Sequence, residues 1–230
     1  MSVISPNVQR IEQVAEALGD LCKEMLFTGG SSVELYLERP SVQPIRPTKD
    51  VDCITRVITR RELKELEEAL RSRGFEHAGL RGEKGPPCRF VLGDILVDFM
   101  PLDVRVMGFS NRWFKDAVAA PDTRILPSGR EIKIPSLPCF IAIKLETMID
   151  RGGADLRSSW DLEDIIVVLD SLRSTDDLID ESPAAVREFV RSTFREKLAD
   201  LFFRESVESC SPGGFDQAER VLMVMEKMVK

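Results

Sequence analysis

MLFTGGSSVELYLE, residues 25–38, contains the junction on which the reading of this chain turns. Met25-Leu26-Phe27 is a short apolar run of the kind that forms a buried strand, and it leads into Gly29-Gly30, Ser31-Ser32 and a helical pattern. A strand that breaks on paired glycines into a helix start brings backbone N–H groups to where a phosphate can approach, because glycine has no Cβ to hold it away. Upstream, Ser5 is an N-cap with Pro6 in the first helical position, and Val8, Ile11, Val14, Ala15 and Leu18 recur at helical spacing. Downstream, a loop with Pro40, Pro44 and Pro47 leads to DVDCITRV (50–57), a strand. Thr59 and Glu62 form a capping box for a charged helix that stops at Gly74. FEHAGL (75–80), CRFVL (88–92) and DILVDFM (94–100) read as strands, the last two joined by a Gly93-Asp94 hairpin turn. A short helix in NRWFKDAVAA (111–120) and a hairpin turning at Pro127-Ser128-Gly129 complete this part.

From Ser136 onward nearly everything is helical: LPCFIAIKLETMID, WDLEDIIVVLDSL, PAAVREFVRSTFREKLADLFF and FDQAERVLMVMEKMV. The expectation is an α/β (α+β) chain, with a small mixed β-sheet core over residues 1–135 and a C-terminal helical bundle over 136–230. The 230 residues carry 32 Lys+Arg against 39 Asp+Glu, a net charge of −7 that argues against a protein coating nucleic acid through bulk charge. The charge is not evenly spread. Residues 1–135 hold 20 of each sign, so the whole excess lies in the helical part, and residues 39–61 carry six basic side chains around two acids, Asp50 and Asp52.

His77 is the one histidine, which rules out most chemistry built on His, above all multi-His zinc signatures such as H-E-x-x-H. The five cysteines are dispersed without a C-x-x-C pair and fit a reducing compartment. No signal-peptide layout and no membrane-length apolar run is present, so a soluble cytoplasmic protein with no membrane partner is expected.

Chemistry then falls to carboxylates. Asp50 and Asp52, two apart in a strand, project from one face. Like charges so close are costly without a cation between them. With Asp98 from the strand ILVDFMP (95–101), they would make a hard oxygen site suited to Mg²⁺. Two such ions could activate an attacking hydroxyl and stabilise a leaving pyrophosphate. The Gly29-Gly30 turn would admit a triphosphate, with Ser31 and Ser32 donating to it. Taken singly, each element has a blander reading: a D-x-D pair on a solvated strand face, a Gly-Gly turn as plain turn chemistry, Asp98 as an ion-paired acid.

In order and spacing, FTGGSS (27–32), RPTKDVDCI (46–54) and ILVDFMP together resemble the nucleotidyltransferase superfamily of the DNA polymerase β type. The R-x-T-K-D-x-D spelling looks more narrowly like the AbiEii/AbiGii toxin branch, which includes MenT-type toxins. IAIKLETMIDRGGADLRSSWDLEDIIVVLD (141–170) matches that branch in the order of Lys144, Arg151, Asp161 and Asp164, with Trp160 where the branch has an Arg. The resemblance implies a Mg²⁺-dependent enzyme binding an NTP in the cleft between sheet and helices. Asp50 and Asp52 would hold the metals, and Asp98 would complete the second metal site and help deprotonate the acceptor. Gly29, Gly30, Ser31 and Ser32 would cradle phosphates with Lys144, Lys49 and Arg46, and Asp161 would assist catalysis. It further implies a toxin paired with an antitoxin, with a tRNA 3′ end as acceptor.

Two rivals stand beside this reading: the same site acting on a small-molecule or protein hydroxyl, and a non-catalytic nucleotide-binding module. Tyr36, Trp113, Trp160 and the terminal Met223, Met225 and Met228 are expected in the core, His77 as a packed or exposed residue, and Asp176, Asp177, Asp180 and Glu181 as a solvated helix start.

Overall fold

The computed structural model describes residues 4–39, 45–82, 85–151, 155–174 and 178–230; Pro40, Pro44, Asp176 and Asp177 lie outside them. The chain divides into two compact units, Met1–Ser32 with Arg46–Ser136, and Val33–Ile45 with Leu137–Lys230.

In the first unit, α1 (Pro6–Leu18) starts where the Ser5 hydroxyl accepts from the Val8 N–H. Among the described residues seven strands form one mixed sheet. They are β1 (Met25–Thr28), β2 (Asp50–Thr55), β3 (Glu76–His77), β4 (Arg89–Leu92), β5 (Ile95–Met100), β6 (Pro121–Ile125) and β7 (Glu131–Pro135). Their order is β3-β4-β5-β2-β1-β7-β6. β2 runs parallel to β5 and antiparallel to β1, and β1 is parallel to β7. The apolar alternation of β2 and β5 explains the layering: Val51, Cys53, Val97 and Phe99 are buried on one face, leaving the intervening acids to the other. α2 (Arg60–Arg71) carries the full capping box, Thr59 accepting from the Glu62 N–H while Glu62 accepts from the Thr59 N–H. α3 (Val104–Met107) and α4 (Phe114–Ala119) are short.

The second unit contains α5 (Leu137–Asp150), α6 (Trp160–Ser171), α7 (Ala184–Leu198), α8 (Leu201–Ser209) and α9 (Phe215–Met228). α5 packs on α6 and α7, and α9 packs on α6, α7 and α8. Arg39 closes the end of α6, its guanidinium donating to the carbonyls of Asp170, Ser171 and Leu172 at 2.8, 3.1 and 2.7 Å. Among the described residues no helix is long and apolar enough to cross a membrane.

Several local expectations are corrected. SSVELYLE forms a seven-residue 3₁₀ stretch, Gly30–Tyr36, in which Val33 and Tyr36 are buried three apart, the spacing that eclipses in that geometry. FEHAGL is a strand only at Glu76–His77, because the His77 ring caps the following turn. Its Nδ1 accepts from the Gly79 N–H and its Nε2 donates to the Pro87 carbonyl, so both nitrogens have structural work. The helix expected over 183–203 breaks at Ala199-Asp200, since the Asp200 carboxylate caps α8 through the Phe202 N–H. Trp160 is 60% exposed and Met223 58% exposed, whereas Tyr36, Trp113, Met225 and Met228 are buried.

Candidate active site

The sheet register brings the acids into line. Asp52 pairs with Asp98 across the parallel β2–β5 ladder, and Asp98 pairs with Arg89 across the antiparallel β4–β5 ladder. Asp52 also faces Thr28 across β1–β2. Directly opposed residues share a face, so Arg89, Asp98, Asp52 and Thr28 form a row across four strands, with Asp50 on the same face two residues before Asp52.

Arg89 organises this row. Its Nε donates to Asp98 Oδ1 at 2.8 Å and its Nη2 to Asp98 Oδ2 at 2.7 Å, a two-pronged charged pair. The same Nη2 reaches Asp50 Oδ2 at 3.3 Å. These bonds to Asp98, outweighing its partial burial, with the further charges of Asp50 and Asp52, raise the Arg89 pKa above its ordinary value. The neighbouring Cys88 thiol is pushed up to about 12, first by burial and then by the Asp98 and Asp52 charges, so it stays protonated.

Gly29 has φ +73°, and a Cβ there would lie 1.8 Å from Asp52 Oδ2. The glycine is thus required twice, for its left-handed backbone and for the space the carboxylate fills. Ser31 and Ser32 are buried and turned back on the junction: Ser32 Oγ donates to the Gly29 carbonyl at 2.9 Å, and Ser31 Oγ lies 3.5 Å from the Thr28 carbonyl. The buried Thr28 hydroxyl has no hydrogen-bond partner among the described residues. Asn7 of α1 accepts from the Thr48 N–H at 2.9 Å and donates to the Arg46 carbonyl at 3.1 Å, pinning the chain as it enters β2. Arg46 is half-buried, and Lys49 is exposed beside Asp50 in sequence.

Lys144 and Asp161 belong to the helical unit. The Lys144 ammonium is buried between Asp164 Oδ2 at 2.6 Å and Asp161 Oδ1 at 3.1 Å, and Arg151 donates to Asp161 Oδ2 at 2.7 Å. Burial pulls the Lys144 pKa down, but the two carboxylates outweigh it and the net direction is up. Its observed partners are therefore side chains of its own unit.

Asp50, Asp52 and Asp98 are hard oxygen donors, on one face and adjacent strands, and Arg89 is ion-paired to two of them. In donor type, charge and register they fit a divalent cation such as Mg²⁺. As the side chains stand, no group of three or more His, Cys, Asp or Glu among the described residues is arranged to hold a metal ion. Arg89 lies between Asp98 and Asp50 instead. Arg89, Thr28 and Asn7 were missed in the sequence. Arg89 alone had a signal, since a two-residue Gly93-Asp94 turn sets it opposite Asp98.

With this geometry in hand, comparison with solved structures is informative about the fold. The chain matches an antigenic nucleotidyltransferase-like protein from Paracoccidioides brasiliensis at 18% identity and TM-score 0.51, over 83% of this chain and 88% of that one. The fold is nucleotidyltransferase-like. Further similarities are to the antibiotic-resistance factor ANT(2'')-Ia (17% identity, TM-score 0.48, 84% of this chain and 92% of that one) and to JHP933 from Helicobacter pylori (11%, 0.45, 99% and 94%). No protein-family model and no curated protein matches the sequence.

Proposed function

We propose that the chain is a metal-dependent nucleotidyltransferase that moves a nucleoside monophosphate from an NTP to an acceptor hydroxyl. The observation that carries this reading is the in-register pair Asp52–Asp98, with Asp50 on the same face, set against a glycine turn with no room for a Cβ beside Asp52. Asp50, Asp52 and Asp98 would hold Mg²⁺, which when bound neutralises the triphosphate and makes the acceptor hydroxyl more acidic. The acceptor oxygen attacks the α-phosphorus in line, the bond to the α–β bridging oxygen breaks, and pyrophosphate leaves. Asp98 takes the acceptor proton. The Gly29-Gly30 backbone positions the β and γ phosphates, and Thr28, with its buried unpartnered hydroxyl beside Asp52, orients the reacting end. Catalysis on this scheme is positioning and charge compensation.

The R-P-T-K-D-V-D spelling at 46–52 supports the toxin branch, and with it a tRNA 3′ end as acceptor and a cognate antitoxin. Lys144, held by Asp161 and Asp164, serves on this reading to order α5 against α6. Incubation with Mg²⁺, cell RNA and each α-labelled NTP tests the proposal: label on RNA with pyrophosphate release supports it, and label on protein or a small hydroxyl compound reassigns the acceptor.

A further inference from the structure

Arg89 is absent from the chemistry above, yet it is ion-paired to two of the three acids, Asp98 and Asp50. Both oxygens of Asp98 are taken by its fork, at 2.8 and 2.7 Å, and the shared nitrogen reaches Asp50 at 3.3 Å. Its stem runs past Gly85, where an added Cβ would come within 2.6 Å of Arg89 Cδ. The pairing is written into the backbone, because Arg89 and Asp98 are register partners on neighbouring strands. A planar guanidinium bonded along both oxygens of a carboxylate occupies the directions a metal ion would use, and a divalent cation arriving there meets a fixed positive charge a few ångströms away.

We propose that Arg89 is an internal counter-cation that holds Asp98 and Asp50 in the empty site and must release Asp98 before a divalent metal ion can bind there. The inference rests on the nucleotidyltransferase reading for the metal, and adds that affinity for it is set by a competing side chain. Arg89 is thus a positioning residue. It compensates the buried Asp98 when the site is empty, and it keeps metal affinity low until a triphosphate brings further negative charge to draw the guanidinium away.

The test is Mn²⁺ binding by the full chain without nucleotide, followed by electron paramagnetic resonance of the free ion, for wild type, Arg89→Met and Arg89→Lys. Removal of a competing unit charge at this range should tighten Mn²⁺ binding about tenfold or more in Arg89→Met. Arg89→Lys, which keeps the charge and loses the fork, should fall between the two. Arg89→Met should also melt lower than wild type in EDTA and regain much of that loss in Mn²⁺, a readout available even if the variant is only marginally folded. Unchanged or weaker Mn²⁺ binding in both variants, with wild type active in nucleotide transfer, overturns the role of Arg89 alone. No Mn²⁺ binding by any of the three, with or without NTP, overturns the metal-dependent reading as well.

Discussion

Gly29→Ala isolates the contact on which the site geometry depends. The new Cβ would lie 1.8 Å from Asp52 Oδ2, on a backbone at φ +73°. A carbon and a carboxylate oxygen sit comfortably at about 3.3–3.6 Å, so the carboxylate must retreat by roughly 1.5 Å. Displacing a reacting group by about 1 Å costs on the order of 100-fold in rate, and nucleotide transfer should fall by at least that much. The left-handed backbone adds about 1–2 kcal/mol of strain. For a chain of this size that lowers the melting temperature by about 2–8 °C. Gly19→Ala is the matched control: Gly19 also has positive φ, +57°, but nothing lies within 4 Å of its added Cβ. It should lose stability through its backbone strain but no activity. Transfer assays with α-labelled NTP, run beside differential scanning calorimetry, read both quantities. Retention of transfer by Gly29→Ala to within a few-fold of Gly19→Ala would refute the reasoning.

The buried ion cluster and the thiols give two further tests. Lys144→Met strands Asp161 and Asp164 without their shared cation and should cost about 3–5 kcal/mol in urea unfolding, with Lys144→Met/Asp161→Asn/Asp164→Asn recovering part of it. The Cys88 thiol is raised from 9.0 to about 12, so its neutral form is favoured in the folded chain. Its contribution is complete below pH 9 and is lost as the pH rises from 9 toward 12, where the unfolded thiol ionises first. Urea midpoints measured from pH 8 to 10.5 should therefore fall, and fall less steeply in Cys88→Ala.

Much of the architecture is legible without coordinates because short-range rules set it. The two-residue turn at Gly93-Asp94 pairs Leu92 with Ile95, and counting outward places Arg89 opposite Asp98. Strand alternation puts Asp50 and Asp52 on one face, and the paired glycines mark the turn that Asp52 abuts. The partners of Lys144 were not legible. Helical spacing groups Asp161 with Asp164 on one side of α6, but nothing local says that a lysine 17 residues earlier, on α5, fills the space between them. Trp160 departs from the expected burial for a related reason. The rest of α6 is apolar enough to suggest burial all round, while its first residue lies at the helix end and is exposed. The 3₁₀ form of Gly30–Tyr36 also escaped, since i, i+3 apolar spacing serves both helix types over so short a run.

On the proposed function, Asp50, Asp52 and Asp98 work together to transfer a nucleotide. Asp52→Asn is the most direct test, because it removes one charge from the row with almost no change of shape. With Mg²⁺, α-labelled NTP and total RNA, wild type should label an acceptor and release pyrophosphate, and Asp52→Asn should reduce both by about 100-fold or more while melting within a few degrees of wild type. Equal labelling by the two proteins, or no labelling of RNA, protein or small hydroxyl compound by wild type, would contradict it.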